Sequence, residues 1–262
     1  MQRKPHILVR LLAGFVFAFL LLPLVIILGA SLTSGTFLTF PPQGLSLRWF
    51  SFVLQQENFI SSFQTSLIVA TFGTGFALLV GVPVAYALAR FRNGLPGWYS
   101  SIFFLPVLVP EIVFGFSLLK GVIVEYDLPV ITALLIGHTI IAIPYAVRIV
   151  GASLSTFDFA AEEAAISLGA SPLKTFFVVV LPNIRSGIVA AFILAFITSL
   201  NDVSVSLFLT GPGISTLPIE LFTYVEQHFD PSVAAVSVLL MFLTIAVIAI
   251  VERSLGLSKV MR

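Results

Sequence analysis

The chain has 262 residues, of which 58% are hydrophobic and only 10% are charged, and its mean hydropathy is +1.12. A single water-soluble domain of this size cannot shield so much apolar surface, so the composition excludes a soluble globular protein and indicates a polytopic membrane protein. The net charge of +1 gives no support to nucleic-acid binding, and the absence of cysteine excludes disulfides and thiol chemistry.

A first apolar run covers residues 11–32, after the basic sequence MQRKPH. About 20 residues are needed to cross the hydrocarbon core, whereas the apolar region of a signal peptide is shorter and precedes a small-residue cleavage site. The run is therefore predicted to be a retained membrane span. The more polar segment 33–62, with Pro41-Pro42 and Gly44, is predicted to be an external loop.

Five further apolar runs predict an all-α membrane protein with six spans, both termini on one side, and a single membrane domain. The runs cover residues 63–89, 99–120, 128–150, 186–210 and 233–253. On this topology only Arg48 and Lys120 lie on the side opposite the termini. The N-terminal side carries the other basic residues: Arg3, Lys4, Arg10, Arg90, Arg92, Arg148, Lys174, Arg185, Arg253, Lys259 and Arg262. By the positive-inside rule, both termini and the loop 151–185 are predicted to be cytoplasmic.

A carboxylate lies inside the third run, where Glu111 follows Pro106 and Pro110. The prolines remove backbone donors and predict a kinked span with free carbonyls near the acid. Nine residues of helix would separate Glu111 from Lys120 by about 13 Å along the axis, which disfavours an ion pair between them. Because an unpaired charge is costly within a membrane, Glu111 is predicted to line a translocation pathway.

The stretch 158–182, DFAAEEAAISLGASPLKTFFVVVLP, predicts a helix, a glycine stop and a second helix. Glu162 and Glu163 complement the dipole of the first helix, and Gly169 is a typical terminator. Ser171-Pro172 provides an N-cap and a first helical residue for the second helix. By spacing alone, the stretch fits a helical hairpin between two spans.

The residues of this hairpin also resemble a family. Glu163-Ala164-Ala165, then Gly169, then after nine residues Val179-Val180-Leu181-Pro182, resemble the EAA loop of ABC importer permeases, E-A-A-x-x-x-G followed by I-x-L-P. Val179 stands where isoleucine is usual and keeps a β-branched apolar side chain. The resemblance implies a type I importer permease fold, an alternating-access mechanism, and a coupling helix at about 160–168 that docks into a groove of a separate ATPase subunit.

The resemblance also implies roles and partners. Residues expected to couple to the ATPase are Glu162, Glu163, Ala164, Ala165, Gly169, Leu181 and Pro182. Among them, Glu163 orients the loop, Gly169 makes the turn, and Leu181-Pro182 fixes the start of the fifth span. The chain itself would be no enzyme and would hold no cofactor, since ATP and Mg would be bound by the partner ATPase. The other expected partners are a second, related permease chain and an extracytoplasmic solute-binding protein.

A second carboxylate lies in the fifth run, within SLNDVSVS. Helical spacing would place Ser199, Asp202 and Ser206 on one face, a polar stripe in an apolar span. We predict that this stripe, with Asn201, lines the translocation pathway. The alternative is a buried carboxylate that neighbouring hydroxyls satisfy and that serves only packing.

The two deep charges, Glu111 and Asp202, are both negative, and no deep positive charge answers them, which favours a cationic solute or solute group over a simple anion. The stretches VPEIVFGFSLL, SLNDVSVSLFLTGPG and LPIELFTYVEQHFDPSVAAVSVLL resemble those of the spermidine/putrescine branch of the family. That branch usually has two adjacent aspartates where this chain has Asn201-Asp202. A polyamine is thus the expected solute, and an aminophosphonate or an amino-acid-like solute stays open.

Leu217, Leu221, Tyr224 and Val225 recur at helical spacing and predict a short amphipathic helix on the outer membrane surface. The resemblance implies that this helix could also touch the binding protein.

The sequence has no Walker A motif, no nucleophile elbow and no metal-spaced cluster. His6, His138 and His228 are scattered and are interpreted as hydrogen-bonded or interfacial side chains rather than ligands. Two other function classes stay open at this point. One is an ion-coupled secondary transporter that uses Glu111 and Asp202, and the other is a membrane assembly factor.

Overall fold

The computed structural model describes residues 7–91, 94, 96–228 and 230–255. The regular structure of these residues is helical. The helices are α1 (Ile7–Ser31), α2 (Arg48–Val53), α3 (Glu57–Arg90), α4 (Trp98–Ile102), α5 (Leu105–Leu108), α6 (Glu111–Leu118), α7 (Val130–Leu154), α8 (Ala160–Ser167), α9 (Pro172–Thr175), α10 (Leu181–Asn183), α11 (Arg185–Leu200), α12 (Leu217–Gln227) and α13 (Ser232–Leu255). The chain divides into two compact units, Met1–Ile60 with Leu221–Ile245 and Ser61–Glu220 with Ala246–Arg262.

In the first unit, α1 is apolar on every side, and its side chains are exposed in the isolated chain from Ile7 to Leu28. A helix that is hydrophobic all round suits a lipid environment. The loop after α1 is ordered by its own polar groups. The hydroxyl oxygen of Thr33 accepts a hydrogen bond from the backbone N–H of Gln43 at 3.2 Å, and the Trp49 indole donates to the Gly35 carbonyl at 3.2 Å.

Four helices among the described residues are long and apolar enough to cross a membrane: Ile7–Ser31, Glu57–Arg90, Val130–Leu154 and Ser232–Ala249. Pro172–Asn183 and Arg185–Leu200, bent by 72°, add a fifth if the pair is one span. The predicted all-α polytopic fold is confirmed, and the count of six spans stays a prediction. His6 and five of the basic residues that contributed to the predicted orientation lie outside the described part of the chain; the five are Arg3, Lys4, Arg92, Lys259 and Arg262.

The predicted third span, residues 99–120, is broken into α4, α5 and α6. Pro106 lies in the first turn of α5, and Val109, before Pro110, is extended with φ −83° and ψ 127°. A residue before proline is driven out of the helical region, because the proline ring clashes with it. The prolines therefore interrupt the helix, whereas the sequence predicted only a kink.

The predicted fifth span, residues 186–210, also ends early. α11 stops at Leu200, and only Ser206–Phe208 is helical again, as a single 3-10 turn. The carboxylate of Asp202 accepts hydrogen bonds from the backbone N–H groups of Val205 and Ser206, which competes with helical hydrogen bonding. The prediction that Ser199, Asp202 and Ser206 share one helical face is therefore wrong.

The core of the second unit forms around α7. Its buried side chains recur at every third or fourth position and share one face: Ala133, Leu134, Gly137, His138, Ile141, Ala142, Ala146, Val147, Val150 and Leu154. At the end of this face, Val150 and Leu154 pack with Ala85 of α3 and Ala191 of α11. These contacts fix the first half of α11 and the C-terminal end of α3, which carries one of the two polar sites described below.

The helix predicted from Leu217, Leu221, Tyr224 and Val225 is confirmed as α12. Its first N–H, at Leu217, donates to the Ser66 hydroxyl of α3 at 2.8 Å. The placement of α12 at the membrane surface stays a prediction.

Candidate functional site

The predicted coupling helix, residues 160–168, is α8, Ala160–Ser167. Its start is fixed by Asp158, whose carboxylate accepts a hydrogen bond from the N–H of Ala160 at 2.9 Å. Glu162 and Glu163 lie in its first turn, as the sequence predicted. Their charges complement the positive end of the helix dipole.

The stop after α8 depends on Gly169, which has a φ of +93°. The N–H of Ala170 donates to the carbonyl of Ala165 at 3.1 Å, so the turn satisfies a carbonyl at the helix end. A Cβ atom on Gly169 would meet nothing within 4 Å. The requirement for glycine is therefore conformational and not steric. The predicted restart is confirmed, since Ser171 caps α9 and Pro172 is its first residue.

Glu162 is the buried residue of α8, with 3% of the residue exposed. Its Oε1 atom accepts a hydrogen bond from the Tyr86 hydroxyl at 2.7 Å and lies 3.4 Å from Nε of Arg90. The same guanidinium donates from Nη2 to Oε1 of Glu163 at 3.0 Å. Two neighbouring carboxylates of α8 are thus joined to one arginine at the end of α3, and we call these four residues the α3–α8 clamp.

Aromatic rings surround the clamp. The Tyr86 ring lies edge-on to Phe176 with centroids 4.9 Å apart, and the Arg90 guanidinium carbon is 5.5 Å from the centre of the Phe159 ring. The rings thus pack on the two side chains that donate hydrogen bonds to Glu162. Sequence analysis did not select Tyr86 or Arg90 as site residues. The available signal was their spacing of four in the last turns of α3, which puts both side chains on one helical face.

The other predicted coupling residues surround the hairpin. Ala164 is exposed, Ala165 is half-buried, Leu181 packs against the core and Pro182 is exposed. Leu168, just beyond α8, is 90% exposed, and Leu173 is 70% exposed. Small and apolar groups therefore form an accessible surface at the tip of the hairpin, a surface suited to packing against another protein.

Asp202 and the two serines predicted with it come together through a turn rather than along a helix. The carboxylate of Asp202 is a three-fold acceptor, from the N–H of Val205 at 3.3 Å and from the N–H and hydroxyl of Ser206 at 3.0 and 2.9 Å. The ring of His138 bridges the group, with Nδ1 2.7 Å from the Ser199 hydroxyl and Nε2 3.0 Å from the Ser206 hydroxyl. We call His138, Ser199, Asp202 and Ser206 the buried polar cluster.

The buried polar cluster places a histidine beside the deep acid. Nε2 of His138 is 3.7 Å from the Asp202 carboxylate. Sequence analysis did not predict this contact, because α7 brings His138 from a distant part of the sequence. His138 is hydrogen-bonded, as predicted. Asn201 instead is exposed and bonds only to the Ile197 carbonyl of its own helix.

Glu111 begins α6 and is exposed in the isolated chain. Among the described residues it forms no ion pair, in agreement with the prediction that Lys120 does not neutralise it.

α6 also contacts the Asp202 turn closely. A Cβ atom at Gly115 would lie 2.5 Å from the Val205 carbonyl oxygen, so a glycine is required for this approach.

Comparison with known proteins identifies the family. Residues 77–256 match the profile of the binding-protein-dependent transport system inner membrane component. The spermidine/putrescine transport system permease protein PotC of Escherichia coli K12 is 31% identical over 243 residues, which cover 91% of this chain and 92% of that protein. The putrescine transport system permease protein PotI of the same organism is 32% identical over 248 residues, covering 91% and 86%.

Solved structures give the same fold. A bacterial ABC transporter that imports the acidic polysaccharide alginate matches with a TM-score of 0.69 and 18% identity, over 94% of this chain and 95% of the matched one. A bacterial alginate ABC transporter in complex with a periplasmic protein that carries an alginate pentasaccharide matches with a TM-score of 0.64 and 16% identity, over 94% and 92%. Fold, hairpin motif and sequence agree, and the chain belongs to the family of binding-protein-dependent inner membrane transport components as an ABC importer permease.

Proposed function

We propose that this permease forms the pathway for a polyamine such as putrescine or spermidine. The observation that carries the proposal is the similarity to PotC and PotI, which extends over 91% of the chain in each case. Chemistry supports it, because the exposed Glu111 forms no ion pair with any described residue and could face a protonated amine. Family membership favours an ATP-driven importer over the ion-coupled secondary transporter and over an assembly factor.

The pathway is proposed to use Glu111 and Asn201 directly. Both are exposed on the second unit, whereas Asp202, Ser199 and Ser206 are occupied by hydrogen bonds to one another and to His138. Asp202 then acts on the pathway by fixing the turn that carries Asn201. An aminophosphonate or amino-acid-like solute is the second candidate, because Asn201 replaces one of the paired acids that the polyamine branch usually carries.

The partners are proposed from the hairpin and from the neighbours. α8, with Leu168 beside it, would dock into an ATPase subunit that binds ATP and Mg, and this side would be cytoplasmic together with both termini. The alginate transporter bound to a periplasmic protein supports a solute-binding protein on the other side. A related but different permease chain would complete the pathway.

ATPase activity of the whole complex in lipid, with its binding protein, tests the proposal. The panel consists of putrescine, spermidine, an aminophosphonate and a set of amino acids. Stimulation by the two polyamines is the expected result. Stimulation by a mono-amine alone would overturn the polyamine assignment, and the absence of any associated ATPase would overturn the docking at α8.

A further inference from the structure

α8 is joined to α3 by side chains that are distant in sequence. Tyr86 and Arg90 lie 76 and 72 positions before Glu162. Hydrogen bonds to charged groups contribute more to stability than neutral ones. The clamp therefore fixes α8 laterally, at the end of a helix that is long enough to cross the membrane.

The chain connections on both sides of α8 are not helical. Before it, residues 155–159 form turns, and after it Gly169 lies in the left-handed region. Neither connection continues a helix into α8. A displacement of α8 would be absorbed at these junctions unless a lateral link transmits it.

Because Glu162 is buried, the side chains of the α3–α8 clamp have few alternative hydrogen-bonding arrangements. Glu162 is 3% exposed, and its Oε2 atom has no hydrogen-bond partner in the described part of the chain. The groups that compensate this carboxylate, the Tyr86 hydroxyl and the Arg90 guanidinium, both approach Oε1. Loss of either donor leaves the buried Glu162 carboxylate with only one of these two compensating groups, which is energetically unfavourable.

We propose that Tyr86 and Arg90 are positioning residues that make α8 and the cytoplasmic end of α3 move as one body. Arg90 at the same time orients the motif residue Glu163 through a separate bond at 3.0 Å. A displacement that the ATPase imposes on α8 then reaches the pathway through α3. This inference rests on the proposed docking of the ATPase at α8.

Hydrogen–deuterium exchange of the full-length permease in lipid nanodiscs tests the clamp without an ATPase. Arg90→Ala is expected to raise the exchange rate of the α8 amides about tenfold or more, as follows from the loss of a charge-assisted bond. Amides of α7 should not change. Tyr86→Phe removes one hydroxyl and provides a second, milder variant with a smaller effect in the same direction.

The matched control is Arg185→Ala, which removes an exposed arginine at the start of α11 on the same predicted side. It is expected to leave exchange in α8 unchanged. Unchanged α8 exchange in both Arg90→Ala and Tyr86→Phe would overturn the clamp. An equal rise across α7 and α8 would assign these residues to general stability and would also overturn it.

Transport coupling gives the functional readout in proteoliposomes with the ATPase, the second permease and the binding protein. Arg90→Ala is expected to lower the amount of solute taken up per ATP hydrolysed at least fivefold while ATP hydrolysis continues. Arg90→Lys keeps the charge but not the planar fork, so it should recover only part of the ratio. A normal ratio in Arg90→Ala would refute the proposal, whereas a wild-type complex without ATPase would refute the proposed docking instead.

Discussion

Asp202 shows how one buried carboxylate can hold a turn together. It is 8% exposed and accepts three hydrogen bonds from residues three and four positions later. Asp202→Ala leaves the N–H groups of Val205 and Ser206 without this acceptor and should destabilise the protein by about 1–3 kcal/mol. Solute uptake should fall as well, because the turn carries Asn201. Thermal unfolding in detergent and uptake into vesicles measure the two effects.

Asn201→Ala is the control for the stability effect of Asp202→Ala. The Asn201 side chain is exposed and bonds only to the carbonyl of Ile197 one turn earlier, so its removal should leave the unfolding temperature unchanged. If Asp202→Ala unfolds at the wild-type temperature and transports normally, then neither the turn nor the pathway depends on this carboxylate.

Gly169 leads to a prediction about backbone conformation. Its φ of +93° is unfavourable for a side chain that branches at Cβ, and forcing it there costs about 1–3 kcal/mol. Gly169→Val should therefore displace the end of α8 and abolish coupling of ATP hydrolysis to uptake, while capture of solute by the binding protein persists. The measurement is solute-stimulated ATPase activity of the reconstituted complex.

Gly169→Asn is the matched variant, since asparagine tolerates positive φ better than a β-branched residue. There is space for its side chain, because a Cβ atom at this position meets nothing within 4 Å. It should retain part of the coupling. Equal activity of the valine and asparagine variants would show that the left-handed turn is not needed.

Between elements, a substitution that adds one methyl group to α6 tests its contact with the Asp202 turn. A Cβ atom at Gly115 would lie 2.5 Å from the carbonyl oxygen of Val205, so Gly115→Ala must separate the two segments. Uptake should fall severalfold, because Glu111 on α6 and Asn201 beside the turn would no longer keep their spacing. Radioactive solute uptake measures this effect.

Gly121→Ala provides the comparison in Leu119–Val124, the π-helical segment that continues α6. A Cβ atom there meets nothing within 4 Å, and the substitution should leave uptake unchanged. Both variants add the same methyl group within a short stretch of chain. If they reduce uptake equally, close packing of α6 on the Asp202 turn is not the cause.

Elements fixed by local chemistry could be predicted from the sequence. The cap at Ser171, the stop at Gly169 and the acidic first turn of α8 each depend only on residues close to that feature in the sequence. The structure confirms all three. The end of α11 could not be predicted from hydropathy, because the side chain of Asp202 competes with helical hydrogen bonds in an otherwise apolar run. A hydropathy profile measures the apolar character of the residues and does not detect this competition for backbone hydrogen bonds.

Long-range contacts within the site also could not be predicted. The apolar periodicity of α7 predicts which face is buried, but not that His138 on that face meets Ser199 and Ser206. Likewise, the position of Arg90 near the end of a span indicated only a cytoplasmic charge. Its pairing with two carboxylates of α8 requires the packing of α3 against the hairpin.

For the whole molecule, the number of spans depends on whether the segment from α4 to α6 crosses the membrane. Its helices α4 and α5 contain 5 and 4 residues, and α6 contains 8 and is continued by the six-residue π-helical segment Leu119–Val124, so each is too short to cross alone. A broken helix is tolerated at membrane depth where its free carbonyls are buried in protein or line a water-filled cavity. A pathway lined by Glu111 would provide such a cavity, so we expect the segment to cross and to complete six spans.

Cysteine accessibility tests this topology directly, because the natural chain contains no cysteine. Three exposed positions are suitable for single substitutions: Glu125→Cys after α6, Ser167→Cys at the end of α8 and Gln227→Cys at the end of α12. With six spans, a membrane-impermeant maleimide added to intact cells should label Glu125→Cys and Gln227→Cys. Ser167→Cys should react only in inverted vesicles. Labelling of Glu125→Cys only from the inverted side would make the α4–α6 segment re-entrant, and labelling of Ser167→Cys in intact cells would reverse the orientation inferred from charge.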